Sequence, residues 1–327
     1  MNQKVFLTGG SGRIGRLVLR NLLDRGYLVR ALVHRKKPEI SDKNLEIVEG
    51  DILDQEQMRE SVKDCQMICH LAAAWDMFPP AVFERENNQL FDSVIRGTYN
   101  LLEAAYKAKG LNLFLYASTD AVYATGLRKF SAPITEETEL FPSRFYALAK
   151  IVCETMCIYY GKLYNLPWLI FRICWTLHID ELPTLLSYEF WEGLIDQEDR
   201  DSLKSKIGNG KGIFAPLMAN GESGVDQIAD PQDIADGIVK GLESSEKAKN
   251  NVYNLAGPAP FKYLEIVRKL AEKFNLQWDS APVKGIEPYE IVIEKARRVL
   301  GYNPRFTAEM MFERALKKKI HVNTGSG

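Results

Sequence analysis

From Val5 to Leu255 the chain alternates short apolar runs with longer stretches in which apolar residues recur at helical spacing. Val5–Leu7, Leu28–Val33, Glu46–Val48, Met67–His70, Leu113–Ala117, Trp168–Ile173 and Asn251–Leu255 read as strands. Arg13–Asp24 sets Ile14, Leu17, Val18 and Leu22 on one helical side, and further helices are predicted over about Val82 to Ala108, Phe145 to Asn165 and residues 230–243. Strand and helix in alternation imply an α/β fold, a doubly wound parallel sheet with helices on both faces. After Trp175 the pattern changes. Residues 178–224 hold short apolar pieces, acids and glycines without a clean period, and Phe261 to Ala315 is mostly helical with Pro and Gly breaks. The predicted division is a core of residues 1–174 and 226–256, with a smaller, mostly helical C-terminal substrate-binding part of residues 175–225 and 257–327.

The first strand runs into Thr8-Gly9-Gly10-Ser11-Gly12-Arg13-Ile14-Gly15. Gly9 and Gly12 let the backbone turn sharply and approach a pyrophosphate, and Gly15 lets the helix pack close to the strand. The helix start then offers free N–H groups and a positive dipole end to phosphates. This strand, glycine turn and helix at the start of an alternating pattern predict a Rossmann dinucleotide site. Strand two ends Leu32-Val33-His34-Arg35-Lys36-Lys37, with no acid for a ribose 2′-hydroxyl and with Arg35 available for a 2′-phosphate. Arg13 could reach the same phosphate. The expectation is NADP in preference to NAD. Strand three ends Glu49-Gly50-Asp51-Ile52, where Asp51 can accept from an adenine amino group. Strand four ends His70-Leu71-Ala72-Ala73-Ala74, whose small residues leave room for the cofactor.

Tyr146 and Lys150 are four apart on a predicted helix and so share one face. A nearby ammonium and a positive nicotinamide ring favour the phenolate, which can take a proton from a carbinol while hydride leaves to the cofactor. Thr119, at the end of strand five in Tyr116-Ala117-Ser118-Thr119-Asp120-Ala121-Val122-Tyr123, can hold the substrate oxygen near that tyrosine.

Composition narrows the picture. The 327 residues are 46% apolar and 26% charged, with a formal net charge of −1, an ordinary globular balance. The basic runs Arg35–Lys37 and Lys317–Lys319 are too short for a nucleic-acid surface. No uncharged apolar stretch is long enough to span a membrane, and the start, Met1-Asn2-Gln3-Lys4, lacks the apolar core of a signal peptide. A cytoplasmic protein is expected. Cys65, Cys69, Cys153, Cys157 and Cys174 have no histidine near a pair, so buried free thiols are expected and no metal site.

The series TGGSGRIG, GDILD, HLAAA, ASTDAVY and YALAK resembles the extended short-chain dehydrogenase/reductase family. That family includes the NAD-dependent epimerase/dehydratase proteins and the dihydroflavonol-reductase-like enzymes. Asn254-Leu255-Ala256-Gly257 and Ala296-Arg297-Arg298-Val299-Leu300-Gly301-Tyr302 resemble its C-terminal part. The resemblance implies Tyr146 as acid/base, Lys150 as its activator and ribose ligand, and Thr119 as the orienting hydroxyl. Four departures bear on the substrate. Ala121 stands where the family's 4,6-dehydratases carry an acid, which argues against dehydration. Arg172-Ile173-Cys174-Trp175-Thr176-Leu177-His178 replaces the Asn-x-Tyr-Gly-Pro-like turn of sugar-nucleotide enzymes. Asp226 stands where many of them place a diphosphate-binding arginine. Val94 stands where an asparagine usually supports the proton relay, so the relay runs through water or another group. The acids of 178–201 would repel a diphosphate if they covered the site, and say nothing if they face solvent. Trp175, Phe190 and Trp191 read as pocket wall or core.

The expectation is therefore an NADP- or NAD-linked oxidoreductase acting at a secondary alcohol or ketone of a small polyhydroxylated or uncharged substrate. The alternatives are a nucleotide-sugar 4-epimerase and a non-catalytic dinucleotide sensor, the latter having no use for all of Thr119, Tyr146 and Lys150. The second long helix is apolar almost all round, from Tyr146, Ala147 and Leu148 to Tyr159 and Tyr160. That predicts a homodimer joined through helices at about 82–108 and 146–165, as the resemblance also implies. The opposing possibility is a cover supplied from within the chain.

Overall fold

The computed structural model describes residues 3–73, 87–108 and 110–324. Ala74 and the start of the helix expected from Val82 lie outside the described residues. Six strands stand in the first half, with helices between all of them except β2 and β3: β1 (Lys4–Thr8), β2 (Leu28–Val33), β3 (Leu45–Glu49), β4 (Met67–His70), β5 (Leu113–Thr119) and β6 (Trp168–Ile173). Then come β7 (Gly212–Leu217), β8 (Val225–Asp226), β9 (Asn251–Leu255), β10 (Phe261–Lys262) and β11 (Gln277–Pro282). The main sheet has the order β3-β2-β1-β4-β5-β6-β9, with every pairing parallel. A strand buried on both faces must be apolar throughout rather than alternating. Val5 to Leu7 and Leu113 to Leu115 are fully buried, as that requires.

From β1 the chain winds outward through β2 and β3, then returns to β4 and winds the other way. The carboxyl ends of β1 and β4 therefore flank the point where strand order reverses, and the crevice there is where such sheets bind ligands. The register sets Thr8 beside His70, and Ser118 and Thr119 beside Arg172 and Ile173.

One core packs the helices Gly15–Asp24 and Pro231–Glu243 on one face of the sheet, and another packs Gly97–Lys107 and Phe145–Tyr164 on the opposite face. The expected helix up to Ala108 is a continuous helical run that opens into a π-helical segment at Phe91–Arg96 before Gly97–Lys107. A third core draws on residues 177–228 and 261–316, with Trp191, Tyr263 and Phe312 at its centre.

The part that builds this third core is mostly helical, as expected, and adds two small sheets that the sequence pattern did not announce. β7 pairs in parallel with β11, from Gly212 beside Gln277 to Leu217 beside Pro282, and β8 pairs antiparallel with β10. Residues 178–224 also contain the helix Gln197–Ile207. Its buried residues are only Leu203 and Ile207, too few to show a helical period. β11 buries Ala281 alone, and its partner lies far away in sequence, so neither strand announces itself locally.

Candidate active site

A continuous cleft of about 2010 Å³ runs over the carboxyl ends of β1, β2, β4, β5 and β6, from Arg35 and Asp51 at one end to Phe190, Asp226 and Tyr289 at the other. This exceeds the usual small-ligand pocket of about 300–1,000 Å³ and suits a dinucleotide with a substrate beyond it. The glycine turn fits that ligand. Gly9 has φ +74°, and a Cβ on it would lie 2.8 Å from the Ala72 amide nitrogen. A Cβ on Gly15 would lie 1.9 Å from the Gly9 carbonyl oxygen, so the helix can approach the strand only without a side chain. No side chain caps the helix at Ile14; the Arg16 and Leu17 amides already donate to Gly12 and Ile14, so the turn just before them and the helix dipole are what an anion in the cleft would meet.

The expected cofactor residues Gly9, Gly12, Arg13, Ile14, Gly15, Arg35, Asp51, Ile52, Leu71, Ala72 and Ala73 all line this cleft. Their charges differ in availability. Arg13 donates to the Glu181 carboxylate and, at 3.3 Å, to the Thr176 carbonyl oxygen. Its guanidinium thus ties the glycine turn to the segment after β6 and is not offered to a 2′-phosphate. Arg35 is exposed and pairs with no carboxylate among the described residues. Asp51 accepts the Leu53 amide at 3.0 Å through Oδ1, and His34 Nε2 lies 3.6 Å from Oδ2.

A buried chain of hydrogen bonds, unforeseen from the sequence, fixes the ends of β1 and β4. Thr98 donates to the Val94 carbonyl (2.6 Å), so its oxygen accepts from His70 Nε2 (3.0 Å). His70 Nδ1 then accepts from Thr8 Oγ1 (2.7 Å), which itself accepts the Ala72 amide (3.2 Å). Burial pushes His70 down to about 3, keeping the ring neutral as this arrangement needs.

Tyr146 and Lys150 stand on the helix Phe145–Tyr164, and Thr119 caps the short 3-10 turn Asp120–Tyr123, accepting the Ala121 amide. The three share the cleft. Lys150 Nζ donates to the Ala117 carbonyl at 2.7 Å and lies 5.8 Å from the Tyr146 ring centre. Burial pulls Lys150 down to about 8. Tyr146 is raised above the usual phenol range, by burial first and then by the Asp120 charge. Among protein groups alone the phenol keeps its proton, so a cation in the cleft is what would free it.

Behind this group lies a second buried array. Glu154 is one helical turn beyond Lys150 on the same face, and its carboxylate accepts from Arg172 Nη2 at 2.8 Å and from Ser118 Oγ at 2.5 Å. Arg172 Nη1 donates to the Tyr123 hydroxyl, which donates to Asn254 Oδ1. The array binds β5, β6, β9 and the helix of Tyr146 into one rigid support. The visible signals were a glutamate on the buried helix face and an arginine inside an apolar strand.

At the substrate end, Asp120 accepts from Thr119 and Thr125 hydroxyls, each at 3.2 Å. Asp226 accepts from the Tyr289 hydroxyl and, at 3.2 Å, from Tyr263. The acids of 178–201 are largely spent elsewhere: Asp180 on Lys318, Glu181 on Arg13, Glu192 on Lys204 and Asp196 on Lys284. Glu189 alone of them lines the cleft, and Lys204, Lys206 and Lys211 do not. All five cysteines are buried free thiols. No helix among the described residues is long and apolar enough to cross a membrane.

With a parallel sheet, a glycine turn at its switch point and a tyrosine–lysine helix facing it, this is a dinucleotide-binding fold of the short-chain dehydrogenase type. The family model for the NAD dependent epimerase/dehydratase family matches residues 5–177, and the chain belongs to that family, whose members are NAD-dependent enzymes. Over 321 residues, 92% of this chain and 92% of that protein, it is 25% identical to UDP-glucose 4-epimerase of Lactobacillus helveticus. It is 32% identical over 155 residues to 3-beta-hydroxysteroid dehydrogenase of Mycolicibacterium neoaurum, covering 46% of this chain and 41% of that protein. Such partial matches mean that this chain spans well under half the length of several curated relatives. Its fold is that of a short-chain dehydrogenase/reductase superfamily protein of Agrobacterium tumefaciens solved with bound NAD, with TM-score 0.81 and 24% identity over 99% of this chain and 100% of that one.

Proposed function

We propose that the protein is an NADP(H)-linked oxidoreductase that interconverts a secondary alcohol and its ketone on a small polyhydroxylated or uncharged substrate. The observation that carries this is the meeting of Thr119, Tyr146 and Lys150 in one cleft with the glycine turn. When bound, the nicotinamide supplies the hydride acceptor or donor. Thr119 holds the phenol towards the reacting oxygen, Tyr146 takes or gives the hydroxyl proton, and Lys150, buried and cationic, holds the ribose and the local positive potential. Arg35 supports the choice of NADP(H) over NAD(H), because it is a cation at the end of β2 with no internal partner among the described residues.

The 92% overlap with a UDP-glucose 4-epimerase favours a second reading, a nucleotide-sugar epimerase using the same residues. Against it stands Asp226, a buried carboxylate held by two tyrosine hydroxyls where a diphosphate would need a cation. The working protein is proposed to be a homodimer. The deciding experiment measures NADPH formation at 340 nm with a panel of secondary alcohols and polyols, and calorimetric binding of UDP- and GDP-sugars. Turnover of an alcohol with weak or absent nucleotide-sugar binding supports the oxidoreductase. Micromolar binding of a nucleotide sugar without net cofactor reduction overturns it for the epimerase.

A further inference from the structure

We propose that Asp120 is the far end of the proton path serving Tyr146, receiving through the Thr119 hydroxyl the proton that the phenol takes from substrate. The inference rests on the reading of Tyr146 as the acid/base. It starts from the filled route on the other side. Val94 is apolar, and its backbone carbonyl already accepts from Thr98 Oγ1 (2.6 Å) and Cys153 Sγ (3.4 Å). Lys150 Nζ is turned to the Ala117 carbonyl. The relay that an asparagine would support at this position has no polar side chain to run through.

Thr119 provides another route. Its oxygen accepts the Ala121 amide and donates to Asp120 Oδ1, and it shares the cleft with the Tyr146 phenol. A hydroxyl has one proton and two lone pairs. With the Ala121 amide fixed on one lone pair, two arrangements remain once the phenol closes on Thr119. In one, the Tyr146 phenol donates to Thr119 and Thr119 donates to the Asp120 carboxylate. In the other, Thr119 donates to the Tyr146 phenolate and accepts from the Asp120 carboxyl. Passing from the first to the second moves one proton from tyrosine to aspartate. For oxidation, the carbinol O–H bond breaks towards the phenolate as the C–H bond gives its hydride to NADP+. The substrate is oxidised, the cofactor is reduced, and the proton passes by Thr119 to Asp120, which lines the cleft and releases it there. Reduction runs in reverse from the Asp120 carboxyl.

Asp120 is suited to both states. Burial, then the charge of Asp226, pushes it up to about 7, while Thr125 and Thr119 donate to its carboxylate. The groups facing it are Asp226 from β8, Tyr289 from the segment after β11, Tyr146 from its helix and Cys174 after β6. Among these four, the group whose charge drives Asp120 upward is Asp226.

The test uses the NADP+-loaded protein as wild type, Asp120→Asn and Tyr146→Phe. Infrared difference spectra followed with pH should show a carboxyl C=O band that disappears through about pH 7. Asp120→Asn should lack it, and Tyr146→Phe should shift its midpoint through loss of the coupled partner. With an alcohol that the wild type oxidises, Asp120→Asn should lower kcat about tenfold or more with KM little changed. It should also remove the decline in rate below that midpoint. A band indifferent to Tyr146→Phe, or an Asp120→Asn enzyme with the wild-type kcat and pH profile, overturns the relay. Failure of the wild type to oxidise or reduce any alcohol or ketone counts instead against Tyr146 as acid/base. The infrared midpoint then decides alone whether Asp120 and Tyr146 exchange a proton.

Discussion

Arg172 grips Glu154 through Nε and Nη2, with its Nη2 2.8 Å from Glu154 Oε2, and both side chains are almost wholly buried. This pair joins β6 to the helix that carries Tyr146 and Lys150, so the position of the reactive phenol is referenced to the sheet through it. A buried ion pair is not a gain in itself, but breaking one leaves a desolvated charge. Glu154→Gln is expected to destabilise the fold by about 3–5 kcal/mol, the usual consequence of stranding one partner. Equilibrium denaturation measures this. A loss within the ordinary range of a surface substitution would show that water or Tyr123 satisfies Arg172.

Tyr146→Phe is expected to reduce turnover by about 10²–10⁴-fold or more while leaving NADP+ affinity nearly unchanged. The phenol is the proposed proton carrier, and the phosphates are held at the other end of the cleft by the glycine turn. Steady-state kinetics beside a cofactor titration separates the two effects. Turnover within a few-fold of wild type would remove Tyr146 from the chemistry.

Arg35 is expected to set cofactor choice alone, since Arg13 is committed to Glu181. Arg35→Asp should weaken NADP+ and strengthen NAD+, by removing a cation from the 2′-phosphate and adding an acceptor for the 2′-hydroxyl. Arg13→Ala should leave the NADP+/NAD+ ratio close to that of wild type. Equal or tighter binding of NAD+ by the unmutated protein would end the preference.

How much of this could be read in advance depended on whether the physics was local. β2, β4, β6 and β9 fall at Leu28–Val33, Met67–His70, Trp168–Ile173 and Asn251–Leu255, as their short, largely apolar runs foretold. The glycine turn was legible because each glycine answers to a backbone constraint within a few residues. The helix Gln197–Ile207 was not, because two buried residues in eleven leave no period. The β7–β11 pair was not, because it rests on partners 65 residues apart, as Gly212 and Gln277 show. At the site, Thr119, Tyr146 and Lys150 came from motif spacing. Their supports at His70, Glu154, Arg172 and Asp226 did not, since a buried polar residue is explained only by the partner that satisfies it, and those partners come from other strands and helices.

The last expectation concerns a surface. The helix Phe145–Tyr164 buries Ala147, Ala149, Lys150, Cys153, Glu154 and Cys157 against the sheet. Its other side keeps Leu148, Tyr159, Leu163 and Tyr164 exposed, Leu163 at 68% and Tyr159 at 53%. The neighbouring helical run adds Phe91, Tyr99 and Tyr106. Among the described residues, seven of the thirteen exposed large apolar ones thus lie on two adjacent helices, and the third core, which draws on the C-terminal helices, does not cover them. Scattered exposed apolar residues mean little, but a contiguous set marks an interface. Two parallel-packed helices presenting one patch suit an isologous contact across a two-fold axis, where the same residues serve both chains. Light scattering at micromolar concentration should therefore return the mass of two 37.1 kDa chains. The double variant Leu148→Lys, Tyr159→Glu should return one, with the far-UV circular dichroism of the parent. A single-chain mass for the unmutated protein would mean that this apolar face meets no second copy.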